Sequence, residues 1–443
     1  MRSLIPRRPA ALAAALLFIL PGLAAAQSLQ ELYDAARAYD ATYLAAKASA
    51  ASAEYRVAQS EALGKPTLAA TASATTAQTD PPSTSAKGST TVAGALNGRY
   101  PLFNRSNDAT IAQARKSLAS AQADLDTAEQ DLIVRVAQAY FDVLAAQDTL
   151  ATTRAKKAAT SEQLASAKRN FEVGTATITD TREAQARFDL DTATEIAAEN
   201  DLRTKRIALD QLVGRPNVEP KPLLVPVALP PTTPAGAEEW VTVADQVHPT
   251  VRRARVGLEV AQLESTKARA AEQPTFDAVA SLSGSDTRGA LPNLSRSAGT
   301  TTVASVGVQM NWPLYTGGAT TARIKETGSL EEKARQDLEA ARRGVAQGTR
   351  VAFFGVQSGL AQVKALEAAE SSSKLALEAT QLGYKVGVRV NLDVLNSQSQ
   401  LYSTQRDLAK ARYDVLVNSL KLRQASGQLV PTDLDAVNRL IAK

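Results

Sequence analysis

The chain has no cysteine, one histidine, two methionines and two tryptophans among 443 residues. Without cysteine there is no disulfide framework, no thiolate metal site and no lipid-bearing N-terminal cysteine. A lone histidine, His248 in VHPTV, cannot assemble a zinc site, and it reads as a surface residue ahead of a helix. No block of like charge offers a nucleic acid an electrostatic footprint. Of the formal net charge of +5, three positive charges belong to Arg2, Arg7 and Arg8, so the rest of the chain carries only about +2. Beyond residue 26 no run of about 18 apolar residues occurs, so no transmembrane helix is expected. A role in a membrane would therefore fall to a β-barrel. Nothing in the residues implies a cofactor or a metal.

What is present begins with the segment 1–26. Its three arginines precede an apolar run from Ala10 to Leu20, and Ala24-Ala25-Ala26 stands before Gln27. That order, positive then apolar then small, reads as a cleaved secretory signal peptide. The mature chain is then exported.

The mature chain is written twice. Ala41 matches Pro249 and Pro66 matches Pro274 at an offset of 208; Pro101 matches Pro313 at 212. From there the offset is 213, pairing Ala139 with Ala352, Gly174 with Gly387, Asp180 with Asp393 and Gly214 with Gly427. The slip falls where hairpin loops are expected, and loops tolerate insertion. Repeat 1 covers 27–214: a helix over about 28–63, a β-hairpin over about 66–102, and long helices over 104–172 and 180–213. Repeat 2 covers 237–427: a helix over about 237–272, a hairpin over about 274–313, and long helices over 319–385 and 393–426. The connection 215–236 is rich in proline, which forbids a continuing helix, and residues 428–443 form a C-terminal segment.

The long stretches carry heptads. Leu118, Leu125, Leu132, Ala139 and Ala146 are spaced by seven, as are Leu338, Val345, Ala352, Gly359 and Leu366, and Leu401, Leu408, Val415 and Leu422. Such sustained periodicity argues coiled coil, with small seam residues that let backbones approach closely. The hairpins alternate instead. Leu68, Ala70, Ala72 and Ala74 share one face with Val92, Leu96, Tyr100 and Leu102; Phe276, Ala278, Ala280 and Leu282 do so with Val306, Val308, Met310 and Trp312. Period two with one apolar face fits strands of about ten residues, enough to cross a bilayer when tilted. Tyr100 and Trp312 lie near strand ends, where interfacial aromatics collect. The competing reading is a half-buried soluble sheet on a coiled-coil stalk, but no separate apolar helix is available to cover its second face.

Four strands do not close a barrel, since about eight is the smallest number known, and open edges in lipid leave backbone groups unsatisfied. In a membrane the chain must oligomerise. Two copies would supply eight strands and three would supply twelve; the pattern alone does not choose.

Each pair of long helices is separated by the same phrase, FEVGTATITD at 171–180 and YKVGVRVNLD at 384–393. Read locally, Asp180-Thr181-Arg182-Glu183 is a capping box with Asp180 at the N-cap and Glu183 at N3, and Asp393 is a plain N-cap.

These segments, with YPLFNRS, AYFDVLAAQDTL, WPLYTGG, GYKVGVRVNLDVLN and RYDVLVNSLKLRQASG, resemble the TolC-like outer-membrane channels of Gram-negative bacteria over nearly the whole mature chain. The resemblance implies an α+β membrane protein that works as a homotrimer. Two tandem repeats would give four β-strands per subunit of a shared twelve-stranded barrel in outer-membrane lipid. The long helices would form a coiled-coil α-helical barrel across the periplasm, belted by a small equatorial region that includes the termini and the middle connection. It further implies an exit duct of a tripartite type I secretion or multidrug efflux system, working with a periplasmic adaptor (a membrane fusion protein) and an inner-membrane ABC or proton-driven pump. The absent lipid-anchor cysteine tilts towards the secretion branch.

Residue by residue, the resemblance places Val173, Gly174, Thr175, Val386, Gly387 and Val388 at tips that the adaptor engages. It makes Thr179, Asp180, Tyr384 and Arg389 the bonds that hold the periplasmic entrance closed, with Arg389 paired to Asp180, and Asp393 an acidic ring at the narrowest point. Two positions depart from the family pattern. Asn396 stands where a second acid is usual, which leaves three carboxylates instead of six and implies weaker cation preference and weaker block by multivalent cations. Gln163 faces Gln381 where a Gln–Glu contact is usual, which implies a looser closure. A periplasmic coiled-coil adaptor or structural stalk is the alternative, although neither an inner-membrane anchor nor a lipid cysteine is present.

Overall fold

The computed structural model describes residues 27–79, 87–224, 227, 229, 231–289 and 299–441. Residues 1–26, on which the signal-peptide reading falls, and residues 80–86 and 290–298 lie outside them. In chain order the elements are α1 (Leu29–Tyr39), α2 (Ala41–Glu61), a 3-10 turn (Ala62–Gly64), β1 (Thr67–Thr79), β2 (Lys87–Phe103), α3 (Arg105–Glu172) and α4 (Ile178–Val213). The second copy follows with α5 (Ala237–Val247), α6 (Pro249–Ala270), β3 (Thr275–Gly289), β4 (Gly299–Asn311), α7 (Ala319–Lys385) and α8 (Asn391–Ala425), and α9 (Asp433–Asn438) closes the chain. No described helix is long and apolar enough to cross a membrane.

Each copy opens on two helices rather than the one expected. Asp40 and His248 adopt extended backbone, at φ −60°, ψ 116° and φ −60°, ψ 128°, and each ends one helix while capping the next. Both residue types carry a short-range acceptor, which is what an N-cap requires. The Asp40 carboxylate accepts from the Tyr43 amide at 2.8 Å and takes both guanidinium nitrogens of Arg135 at 2.9 and 3.0 Å. Those bonds from Arg135 hold its carboxyl below the usual carboxylate range. His248 is no free surface side chain. Its Nδ1 accepts from the Thr250 amide at 3.1 Å, and burial pushes its pKa down.

The glycines that follow α4 and α8 pack onto these two junctions. Gly214 and Gly427 both have φ +72°; a Cβ on Gly214 would sit 2.4 Å from the Tyr39 ring, and one on Gly427 would sit 2.5 Å from the Cα of His248. The Tyr39 side chain can swing aside, whereas the His248 backbone cannot. Gly427→Ala should therefore cost about 2–5 kcal/mol, from left-handed strain plus overpacking. Gly214→Ala should cost visibly less. Comparing the heat resistance of the two variants in membranes checks the order.

The main core lies at this level, between sheet and tips. Leu29, Leu32 and Tyr33 of α1 pack with Leu132, Val136, Tyr140 and Phe141 of α3, Leu416 and Leu420 of α8, and Leu434, Val437 and Ile441 at the C-terminus. Bridges join Gln27 to Pro220 and Leu223 to Ile441, and the Tyr140 hydroxyl donates to the Lys221 carbonyl at 2.8 Å. One core thus ties together the start of the described chain, the middle connection and the C-terminal segment. Towards the tips, α3 pairs with α4 and α7 with α8 as helical hairpins. The α8 heptad Leu401, Leu408, Val415 and Leu422 is buried throughout its length.

The four strands form one antiparallel sheet in the order β1-β2-β3-β4. Register lines up the two faces: Ala70 opposes Leu96, Leu96 opposes Leu282, and Leu282 opposes Ala304. The face holding Leu68, Leu96, Leu282, Val306 and Val308 is apolar and uncovered, with Leu68 75% and Val306 89% exposed. The other face is polar. Arg99 bonds Asp277 at 2.6 Å, Ser281 pairs with Ser305 at 2.8 Å and Thr91 with Thr287 at 3.1 Å. The strands run 13 to 17 residues, longer than the ten expected. The extra length is polar even on the apolar side, where Thr76 pairs with Thr90, and Asp286 accepts from Arg288 and Thr300. The apolar belt is therefore confined to the stretch nearer the helices. Among the described residues no strand pairs with the outer edge of β1 or of β4.

Candidate functional site

At the end remote from the sheet, the two helical hairpins turn through backbones of the same shape. Val173 and Val386 close α3 and α7 at φ −91°, ψ 3° and φ −93°, ψ 4°, and Gly174 and Gly387 follow at φ +78° and +80°. The Gly174 amide donates to the Phe171 carbonyl at 3.0 Å and the Thr175 amide to the Asn170 carbonyl at 2.8 Å; Gly387 and Val388 repeat this on Tyr384 and Gly383 at 3.1 and 2.9 Å. This is the Schellman closure, and the left-handed residue it needs is why both copies carry glycine there. No atom lies within 4 Å of a Cβ built on either glycine. The tips present apolar side chains to solvent, among them Val173 at 73% and Val388 at 74% exposure, with Val386 and Ile178 also exposed. Behind them Leu164, Ala167, Ala184 and Leu395 pack with Phe188 and fix α3, α4 and α8 in mutual position.

The two acids stand in different surroundings. Asp180 is not the N-cap of α4. Thr177 is, and Asp180 is the N3 partner of its capping box: Asp180 Oδ2 accepts from the Thr177 amide at 2.9 Å and from its hydroxyl at 2.8 Å. In the second copy the cap position is Val390, which has no side-chain acceptor, so Asp393 at N3 has no box to complete. Its carboxylate instead lies 3.6 Å from Arg389. Within the chain Arg389 therefore meets Asp393 and not Asp180. A hydroxyl at 177 engages one oxygen of the first acid locally, and a valine at 390 leaves the second without a cap to bind.

The remaining candidates are placed as follows. The Tyr384 hydroxyl accepts from Asn170 Nδ2 at 3.2 Å, which ties the α7 tip to the α3 tip. Asn396 Oδ1 accepts from Arg187 of α4 at 2.9 Å. Among the described residues no hydrogen bond joins Gln163 to Gln381, and the exposed Thr179 side chain makes none. Asn170, Thr177 and Arg187 are the site residues that sequence reasoning missed. Thr177 was readable, because Thr-x-x-Asp before a helix is itself a capping-box pattern. Asn170 and Arg187 make contacts between hairpins more than 200 residues apart, and no local pattern marks them.

The profile of the family described as outer membrane efflux protein matches residues 32–215 and 240–428, one span in each copy. The chain is 35% identical over 355 residues to outer membrane protein TolC of Vibrio cholerae serotype O1, covering 79% of this chain and 80% of that one. It is 34% identical over 310 residues to alkaline protease secretion protein AprF of Pseudomonas aeruginosa, covering 70% and 64%. Among solved structures, outer membrane protein VceC of Vibrio cholerae superposes with a TM-score of 0.76 at 20% identity, over 90% of this chain and 96% of that one. At that identity the likeness speaks for the fold.

Proposed function

The chain belongs to the outer membrane efflux protein family, and from that premise we propose that three copies close one continuous duct, a twelve-stranded barrel in the outer membrane opening into a helical tunnel across the periplasm. The observation that carries this is the sheet: an uncovered apolar face, a hydrogen-bonded polar face and two unpaired edges. In lipid the edges must be paired, the apolar face meets hydrocarbon and the polar face lines water. Eight strands from two copies would enclose an interior that side chains fill, whereas twelve leave room for a channel. A soluble stalk or adaptor gives no account of an apolar sheet face that nothing in the chain covers.

In this reading the chain is exported by a signal peptide cleaved after residue 26. Val173, Gly174, Thr175, Val386, Gly387 and Val388 meet the hairpins of a periplasmic adaptor, and an inner-membrane pump supplies the energy. The relative named for protease secretion favours polypeptide cargo through a type I system; small-molecule efflux is the second reading, favoured by the family description. The entrance is held by Tyr384 and Arg389, with Thr179 and with the Oδ1 of Asp180, which its capping box leaves unused. Gln163 and Gln381 lie beside it, and Asp393 with Asn396 forms the constriction. The purified protein should fractionate with outer membranes and raise discrete conductance steps in planar bilayers. Recovery as a stable water-soluble single subunit would overturn the reading.

A further inference from the structure

The polar surface of α8 behind the tip contains Asp393, Asn396 and Gln400, at helical spacings of three and four that keep them on one face. Asn396 and Gln400 are exposed and Asp393 is partly so. Arg187 reaches this face from α4, its Nη2 donating to Asn396 Oδ1 at 2.9 Å. The bond fixes where the guanidinium stands, beside the position at which the family pattern would have a second acid. Arg187 makes no ion pair among the described residues. Glu183, one turn earlier on α4, is not within ion-pair distance of it, and Asp189 accepts from Gln185 instead. Asp393 meanwhile faces Arg389 at 3.6 Å.

We infer that Arg187 is a selectivity-determining residue of the constriction, placing a fixed positive charge beside Asn396 that cancels the cation preference Asp393 would otherwise impose. The inference rests on the reading that Asp393 and Asn396 line the narrowest part of the duct. Rings of carboxylates select cations and rings of guanidinium or ammonium groups select anions. A low-dielectric aperture focuses whichever sign is in excess. In the proposed reading Arg389 belongs to the entrance, where Asp180 of a neighbouring copy is available to it. At the constriction each copy then brings one carboxylate, Asp393, and one guanidinium, Arg187, which faces a neutral carboxamide. Neither sign is in excess, so anionic and cationic groups on a cargo meet similar fields.

The test is the reversal potential of the purified oligomer in planar bilayers across a potassium chloride gradient. The wild type should show a potassium-to-chloride permeability ratio near one. Arg187→Gln should raise that ratio several-fold, Asp393→Asn should lower it below one, and Arg187→Lys, which keeps the charge but not the fork, should restore the unselective ratio. A strongly cation-selective wild type would overturn the inference. A response to Asp393→Asn with none to Arg187→Gln would overturn it too, while leaving the constriction in place. No response to either variant would remove the constriction reading itself. Arg187 lies at the surface of its helix pair, so its variants should assemble; if Arg187→Gln does not, Arg187→Ser removes the same charge with a smaller side chain and decides in its place.

Discussion

Replacing Leu96 by arginine should abolish the heat-resistant oligomer in the outer membrane, while the same change at the next residue, Asn97→Arg, should leave it intact. Leu96 sits mid-belt on the apolar face, opposite Ala70 on one side and Leu282 on the other. Asn97 points to the polar face, beside Ser281 and Ala69. An arginine on the lipid face near the bilayer midplane costs about 2–4 kcal/mol, and a closed assembly meets that cost once in every copy. On the polar face the same group stays in water, opposite Ser281. Denaturing gels of heated and unheated membranes read the result. Because successive side chains alternate faces, one position decides between loss and retention, which a general intolerance of charge would not do.

The second large effect belongs to the entrance. Removing the Tyr384 hydroxyl and the Arg389 charge together, as Tyr384→Phe with Arg389→Ser, should raise single-channel conductance several-fold. The first change deletes the bond from Asn170 that joins the two hairpin tips. The second frees Asp393 and removes the group available to Asp180 of a neighbouring copy. An exposed pair of this kind is worth only about 0–1 kcal/mol, yet the bonds recur in each copy and must open together. Asn170→Ala should act in the direction of Tyr384→Phe, because it removes the other end of the same bond. Conductance that stays at the wild-type level in the double variant would take both residues out of the gate.

Much of this architecture was legible in the residues because it is periodic. The constant offsets between copies, the heptads of α3, α7 and α8, and the alternation in the hairpins each report a repeated packing environment. The breaks were less legible. Asp40 interrupts α1 and α2 in the sequence AYDATY, where neither proline nor glycine signals a stop, and the break depends on the distant Arg135. The strands outran expectation because their Thr- and Ser-rich ends resemble loops, whereas the backbone ladder runs on through them and carries cross-strand pairs such as Thr76 with Thr90. At the tips, the local pattern read both Asp180 and Asp393 as N-caps. The caps stand three residues earlier, and the difference between them, Thr177 against Val390, gives Asp180 a capping box that Asp393 lacks. Arg187 lay beyond any local reading, since its partner belongs to the other copy of the repeat.

The incompleteness of the sheet yields the most direct measurement. The two hairpins share one register: Thr67 opposes Arg99 in the first and Thr275 opposes Asn311 in the second, shifted by the same 208 and 212 residues that relate their strands. Carrying the β2–β3 pairing of Leu96 with Leu282 across by those offsets sets Val308 of one copy opposite Ala74 of the next. The chain has no cysteine of its own, so the double variant Ala74→Cys, Val308→Cys reports only on that seam. Oxidised in native membranes, it should run as covalent dimers and trimers on a denaturing gel. The shifted pair Ala74→Cys, Ala304→Cys should not. A cross-link that forms only within single chains, or equally at both registers, would contradict a barrel closed between copies.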